Sequence, residues 1–530
     1  MEVASAQGED EIRAAEVIGS LCLATDLAMG LPFENGLQST LLAMHLADEL
    51  GLDATERRET FYGCLLFYAG CTADAEVSAA LFPPGALLEH FTPVIFGSPG
   101  EIARAVMRAL ADPDRSPAVQ RVQGAVRLPR ALRGHASHRV AMCEVAEMLA
   151  DRVGMPTNVK RLFRNVTDRW DGKGSVLSGA EIPVAIRVLQ VARDTCFQRV
   201  LGGTDYALRV AQDRAGAAFD PAVVAKLTAA ALEDPQGSVW PELLSAEPGP
   251  NRMLQGSAID EALSAAGDFA DLVSSYFTGH STAVAQLAGD AATRMGLSSR
   301  AVTAVRRAGL VHDLGRVAVE THVWNKQGAL TADEWERVRL HAHHSERVLA
   351  PSSGLAGISA VVGRHHERLD GSGYHRGLAA PNLDGAARIL AAADAYRTAV
   401  ELRPHRPARS PEQAAELLTG SAAEGLLDPD AVAAVLVAAG QSAPRVARPA
   451  GLTDREVQVV ALLAGGLQTK QIGRRLGISV KTADRHIQNA YSKMGVSSRS
   501  GATLYAMEHG LDVWLDGWGE LPISAPGADA

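Results

Sequence analysis

The stretch LVHDLGR at residues 310–316 has an earlier counterpart, LLFYAGC at residues 65–71, and this pair decides the fold. The offset between the two is 245 residues. A second pair repeats further on: WDGKGS begins at Trp170 and LDGSGY at Leu369, an offset of 199. A third pairs IRVLQVARD, ending at Asp194, with ARILAAADA, carrying Asp394, at an offset of 200. Self-similarity on this scale predicts two related domains in tandem. The first copy would carry about 46 additional residues in its middle (245 − 199).

Outward from these pairs the pattern is helical. Ala and Leu are abundant, aromatic residues make up 5%, and apolar residues recur at helical spacing, as in Val284, Leu287, Ala288, Ala291 and Met295. Few stretches alternate as a strand would. Three stretches rich in Pro and Gly read as boundaries. They are DPDRSP at 112–117, the run from Glu233 to Gly256 with four prolines, and GQSAPRVARPAG at 440–451. The tail from Glu520 is expected to be disordered. A chain of 530 residues accommodates about three or four domains.

Composition narrows the class. Hydrophobic residues at 47% and charged residues at 21% allow sizeable cores. A net charge of −10 and a pI near 5.9 exclude a chain that is basic throughout, while leaving room for a local basic module. The cysteines Cys22, Cys64, Cys71, Cys143 and Cys196 are odd in number, scattered and without a CxxC pair. They read as reduced core residues rather than a disulfide frame or zinc site. The N-terminus MEVASAQGEDEIR is acidic where a signal peptide needs positive charge. No uncharged apolar run reaches the ~18 residues needed to cross a bilayer. The expectation is a soluble, cytoplasmic protein with no membrane partner.

The last segment departs from this acidic average. Residues 452–511 hold eight Lys and Arg against four Asp and Glu, a local +4 in a chain whose remainder is −14. Thr453 and Glu456 in LTDRE form a capping-box signature, Gly465-Gly466 breaks the first helix, and Gly477 ends a second. Ser479 then caps a third helix, expected from Val480 to Lys493. Two short helices and a turn before a basic helix suit entry into a major groove. Lys481, Thr482, Arg485, His486 and Asn489 are spaced to share one polar face. Arg and Lys read guanine edges and Asn reads adenine. Lys470, Arg474 and Lys493 are expected to meet phosphates. The runs LTDREVQVVALLAGGL, TKQIGRRLGISVKTADRHIQNAYSKMGV, SSR and EHGL closely resemble the LuxR-type helix-turn-helix family. That resemblance implies a four-helix domain over 451–515 that binds double-stranded DNA, as a dimer.

Ten of the 16 histidines lie between His280 and His405. A single histidine is ordinarily a core residue, but the spacing here is ordered. His280 opens one helix, His312-Asp313 lies near the end of another, and His341 follows. His365-His366 is a second adjacent pair, and Asp394 lies on a further helix. Imidazole and carboxylate converging from several helices suit divalent transition metals, and two such ions clamp a phosphate. HST at 280, LVHDLGR at 310, RHHERLDGSGYHRGL at 364, ARILAAADAY at 387 and RPHR at 403 resemble the HD phosphohydrolase superfamily, in its HD-GYP branch. The resemblance implies metal ligands at His280, His312, Asp313, His341, His365, His366 and Asp394, with Asp313 bridging. Asp313 and Arg316 would be the catalytic pair. The family's GYP reads Gly373-Tyr374-His375 here, its lysine after the HD pair is Arg316, and Tyr276 stands where some members place a ligating glutamate. The ligand set therefore fits two ions, Fe or Mn before Zn, rather than three.

In the first copy Phe67-Tyr68 replace His312-Asp313, Val166-Thr167 replace His365-His366, and Gln38 lies near the place of the first histidine. Such residues rebuild no metal site, and Asp194 is read as a lone survivor. WDGKGS at 170–175 reads as a turn, since no strand precedes it. The expected architecture is all-α: a degenerate HD-type domain at 15–205, an HD-GYP-like domain at 260–440 and the LuxR-type module at 451–515. The expected function is a homodimeric transcriptional regulator that senses or hydrolyses a nucleotide or cyclic dinucleotide. The alternatives are a metal-dependent phosphodiesterase with a DNA-targeting module, and a regulator with inert HD domains.

Overall fold

The structure, a computed structural model, describes residues 11–70, 94–110, 116, 119, 122, 126, 142–173, 175–442, 448–509 and 511. The expected disordered tail, most of DPDRSP and most of the additional middle segment of the first copy lie outside the described residues. The fold is mostly helical, as expected. The backbone divides into two compact units. One comprises Met1–Thr282, Leu310–Ala356 and Arg403–His405, the other Ala283–Gly309, Gly357–Leu402 and Arg406–Ala530.

In the first unit a short strand β1 (Glu11–Arg13) pairs antiparallel with β2 (Met253–Gln255), placing Ile12 opposite Leu254. Helices α1 (Ala14–Ala28), α2 (Asn35–Glu49), α3 (Ala54–Leu65) and α4 (Val184–Arg214) follow. Asp53 caps α3 by accepting from the Thr55 and Glu56 amides, the placement such a side chain favours. Helices α2, α3 and α4 pack together, and Leu42, Leu46, Phe67, Val188, Leu189 and Phe197 are buried in their core. Each such side chain contributes about 1.5–3 kcal/mol on burial.

The run from Glu233 to Gly256 is packed structure rather than a loose boundary. It holds a helix at Trp240–Ala246, with Pro241 in its first turn, where a missing amide hydrogen costs nothing. Trp240 and Leu243 are buried, and the Trp240 ring lies so close to Gly19 that a Cβ there would meet it at 2.9 Å.

The same succession recurs as α5 (Ser257–Asp271), α6 (His280–Arg294) and α7 (Ser299–Val311), then α8 (His341–Leu349), α9 (Ala356–Val362), α10 (Gly385–Val400) and α11 (Pro429–Ala438). Local hydrogen bonds fix the register between the copies. Asp26 accepts from the Gly36 amide at 2.9 Å, and Asp271 from the Ser281 amide at 3.0 Å, again 245 residues apart. Asp171 and Asp370 each turn the chain by accepting from the amide two residues on. The turn reading of WDGKGS therefore holds.

This register corrects two sequence assignments. Asn35, the first residue of α2, stands at the place of His280, whereas Gln38 accepts a hydrogen bond from Arg199. In α4, Arg187 pairs with Asp220, as Arg388 in α10 pairs with Asp428. The offset there is 201, so Arg193, not Asp194, occupies the position of Asp394. One residue is about 100° of helix phase, and Asp194 turns instead to Arg214, at 2.5 Å.

In the second unit the terminal module is the expected four helices: α12 (Asp454–Ala464), α13 (Thr469–Arg475), α14 (Val480–Met494) and α15 (Arg499–Glu508). Thr453 and Glu456 make the capping box, at 3.3 and 2.7 Å. Gly477 takes a positive φ of 64° at the turn before α14, a conformation that favours glycine. Val459, Val460, Leu463, Ile472, Ala483 and Ile487 form the core. The four described cysteines are free, and no described helix is long and apolar enough to cross a membrane.

Candidate functional site

The end of α7 delivers His312 and Asp313 into the interior, and the chain then turns sharply through Leu314–Ala318. Both residues are fully buried. Three imidazoles surround the Asp313 carboxylate. The Nε2 atoms of His312 and His280 lie 2.8 and 3.4 Å from Oδ2, and that of His341 lies 3.1 Å from Oδ1. Arg316 adds a guanidinium nitrogen 2.5 Å from Oδ2. Burial alone would raise the Asp313 carboxyl, but Arg316 and His312 outweigh it and hold the group well below the usual carboxylate range. The carboxylate is thus present as an anion.

The histidine rings are oriented by backbone. His341 Nδ1 meets the Val338 carbonyl at 2.5 Å, and His365 Nδ1 meets that of Val362 at 2.6 Å. A ring that donates from Nδ1 keeps the Nε2 lone pair for a metal. In the second unit the His365 and His366 rings lie 4.1 Å apart between centroids at a tilt of 44°, and the Tyr374 ring lies 4.6 Å from that of His366 at a tilt of 31°. His366 Nδ1 lies 3.7 Å from Asp394 Oδ2, and Thr398 donates to the other Asp394 oxygen at 3.1 Å.

These side chains suit a metal by their donor chemistry. His280, His312 and Asp313 present ligand atoms within 4.8 Å of one another, and the pairs Asp313 with His341 and His365 with His366 do the same. Borderline nitrogen donors with a carboxylate, shielded from water, fit a divalent transition metal. Arg316 lies with its guanidinium 4.2 Å from the centroid of the Phe277 ring, and Trp324 donates to its carbonyl at 3.1 Å. Its Nε and Nη1 are buried without a hydrogen-bond partner among the described residues. Tyr276, at the place of a possible third-metal glutamate, gives its carbonyl to Arg403 at 2.6 Å.

Two residues in the first unit were not singled out by sequence. Ser345 accepts from the Gly315 amide at 2.8 Å and donates to the His341 carbonyl at 3.0 Å. Gly315 has no room for a side chain, since a Cβ would lie 2.2 Å from the His341 carbonyl oxygen. Together they seat the His312-Asp313 turn against α8. Glycine in an HDLG run is visible in sequence, but its neighbour 30 residues on is not.

In the terminal module Lys470, Arg474, Lys481, Arg485 and Asn489 are exposed, and Thr482 and His486 are half-buried. Lys481, Arg485 and Asn489 recur every four residues and so line one face of α14. Thr482 also serves the helix start, its amide donating to Ser479 Oγ at 3.0 Å. Arg475 and Gln488 are exposed as well and were not singled out from sequence. Lys493 is engaged internally: its ammonium donates to Glu456 at 2.7 Å and to the Gly451 carbonyl at 3.0 Å. Its expected phosphate contact would compete with that pairing.

Comparison with known proteins finds two matching family models. Residues 266–431 match the family model of the HD domain, and residues 450–506 match that of the bacterial regulatory proteins of the luxR family. The chain is 24% identical over 433 residues to 3'3'-cGAMP-specific phosphodiesterase 3 of Vibrio cholerae serotype O1, covering 79% of this chain and 93% of that protein. It is 34% identical over 162 residues to a cyclic di-GMP phosphodiesterase of Thermotoga maritima, covering 30% of this chain and 43% of that protein. Among solved structures, a cyclic GMP-AMP specific phosphodiesterase of V. cholerae shares the fold. Its TM-score is 0.56 at 21% identity, covering 81% of this chain and 98% of that one. The chain thus carries an HD domain and a C-terminal helix-turn-helix domain of the luxR family.

Proposed function

We propose that this protein is a DNA-binding transcriptional regulator whose HD domain holds two divalent transition metals and binds and hydrolyses a cyclic dinucleotide. The observation that carries the reading is the buried Asp313 carboxylate ringed by His280, His312 and His341, in a chain that ends in a luxR-family domain. His365, His366 and Asp394 complete the ligand set in this reading, because a single HD-domain match spans all seven residues. The relatives' activities on cyclic dinucleotides suggest the substrate class. We read the domains as 15–205, 260–440 and 451–515, and the active form as a homodimer.

Two ions, when bound, would supply Lewis-acid polarisation of a phosphodiester. Asp313, held anionic by Arg316, would bridge them. The Arg316 guanidinium, with two nitrogens unpaired among the described residues, would meet a phosphate oxygen. That role calls for a fixed, planar donor fork, which arginine supplies better than lysine.

The test is metal content and turnover. Anaerobically purified protein should carry about two metals per chain and cleave 3'3'-cGAMP or cyclic di-GMP with Mn²⁺ or Fe²⁺. The His312→Ala/Asp313→Ala variant should lose both properties. Metal at the wild-type level in that variant would remove the ligand assignment, and metal without turnover would leave a sensor rather than an enzyme. On the DNA side, Arg485→Ala should cost ~1–3 kcal/mol of specific binding if it reads a base, measured by titration against a selected operator. Unchanged affinity would remove the assignment of α14 as the reading helix.

A further inference from the structure

We propose that the N-terminal degenerate domain is an intramolecular brace for the metal-binding turn, and that Glu16 is its positioning residue. The proposal rests on the metal reading of His280, His312, Asp313 and His341 given above. It concerns contacts within one compact unit.

Glu16 lies in the first turn of α1 and is only 4% exposed. A buried carboxylate is costly unless hydrogen bonds satisfy it. One oxygen, Oε2, accepts from the Arg13 amide at 3.3 Å and so starts its own helix. The other, Oε1, faces the loop that follows α8. It accepts from Ser352 Oγ at 3.1 Å, Ser353 Oγ at 2.9 Å and the Gly354 amide at 3.4 Å. Three neutral donors from a segment more than 330 residues away thus converge on one oxygen.

The two neighbouring contacts act in the same direction. Ile12 packs against Gly354 so tightly that a Cβ there would meet its Cγ1 at 2.8 Å. Arg347, in the last turn of α8, places its guanidinium 4.0 Å from the centroid of the Phe33 ring, a favourable cation–π distance.

What these contacts hold is α8. It is nine residues long, a rod of about 13 Å. Its first residue is His341, whose ring faces Asp313. At that end the His341 carbonyl lies hard against Gly315 of the metal-binding turn, and one helical turn further on Ser345 accepts from the Gly315 amide. At the other end Glu16 ties the exit of α8 to α1, and α1 itself packs against both α8 and the 314–318 turn. A rod fixed at both ends holds the His341–Asp313 geometry more narrowly than a rod fixed at one. Partners that orient metal ligands without touching the metal act in this way. The described residues of the first domain, with Phe67, Tyr68 and Arg193 in its centre, gather no ligand set, but its α1 is where the second domain's turn rests.

The test uses the full-length chain and two readouts. Replacing Glu16 by Ala should weaken Mn²⁺ binding about tenfold or more, read by electron paramagnetic resonance titration, with little change in the thermal midpoint. Glu16→Gln, which keeps an acceptor at Oε1, should recover most of the loss. Independently of metal, hydrogen–deuterium exchange of metal-free Glu16→Ala should quicken over residues 314–318 and 341–354, and otherwise only at the start of α1, where the Arg13 amide loses its acceptor. If Glu16→Ala fails to fold, Ser352→Ala/Ser353→Ala removes two of the three bonds to Oε1 from the opposite side and should quicken exchange over 314–318 and 341–354 in the same way. Unchanged exchange in those segments, or Mn²⁺ affinity equal to wild type, would overturn the brace. If the wild-type chain itself takes up no Mn²⁺, the metal reading fails, and the exchange experiment still decides whether Glu16 braces the turn.

Discussion

Arg193 in α4 and Asp394 in α10 occupy the same register of two corresponding helices, each six residues after an arginine that pairs with a helix-capping aspartate. Around them the two copies diverge in charge. Arg193 is almost fully buried, donates twice to the Cys64 carbonyl at 3.1 and 2.7 Å, and lies over the rings of Phe67 and Tyr68 at 5.7 and 5.0 Å. Those rings stand where the second copy has His312 and Asp313. In one copy the interior cation is part of the chain. In the other, anionic carboxylate and imidazole nitrogens are gathered, a donor set that a cation from outside would complete. The difference shows how two copies can keep one fold around centres of opposite charge: in the first a single guanidinium, supported by aromatic faces, lies where the second gathers carboxylate and imidazole.

The contrast predicts opposite sensitivities. Arg193→Ala leaves a cavity and strips the partner from a buried site, so it should destabilise the chain by about 3–5 kcal/mol, read from chemical denaturation of the metal-free protein. Arg193→Met, which keeps most of the volume and carries no charge, should cost less. Asp394→Asn in the same metal-free protein should cost less than Arg193→Ala, because the change keeps the side chain's volume and a carbonyl oxygen that can accept from the Thr398 hydroxyl. Equal losses for Arg193→Ala and Asp394→Asn would mean that the guanidinium is not the structural replacement the register implies.

How much of this could be read from the chain depended on whether the signal was local. The terminal module was legible because its caps, glycine breaks and apolar positions all act within a few residues, as at Thr453 and Glu456. The spacing of histidine and aspartate in the second copy was legible because imidazole pairs are chemically conspicuous. The register of Arg193 was not: the offset is 199 before the turn at Asp171 and 201 within α4, and matching one aspartate to another hid the two-residue shift. Prolines in 233–256 suggested a boundary, since nothing local reveals that Trp240 meets Gly19 across the domain. Lys493 looked like a phosphate contact because its partner, Glu456, lies 37 residues back. Glu16 gave no signal at all, being one acidic residue in the first turn of a helix.

The last consequence of the comparison is a pH dependence that reaches to higher pH in the first copy than in the second. Asp26 and Asp271 are equivalent and both buried, and both accept from the start of the next helix. Burial pushes Asp26 up to about 7 even though Arg193 and the Gly36 amide pull it down. Burial raises Asp271 to about 6 against the pull of His280 and Arg316. An unfolded aspartate titrates near 3.9. Between about pH 4 and 7 the folded chain therefore keeps a proton on Asp26 that the unfolded chain has released. That stabilisation is complete below about pH 4 and is lost as pH rises through 7. Asp26→Asn removes the titrating group, so its stability should fall less steeply than wild type across this window. The difference in slope should be at most about 1.4 kcal/mol per pH unit for one proton. Denaturant midpoints at pH 5, 6, 7 and 8 would show the two curves converging toward low pH or running parallel. Parallel curves would mean that Arg193 holds Asp26 ionised throughout, making the first copy's centre a permanent ion pair rather than a guanidinium held by a carbonyl and two aromatic faces.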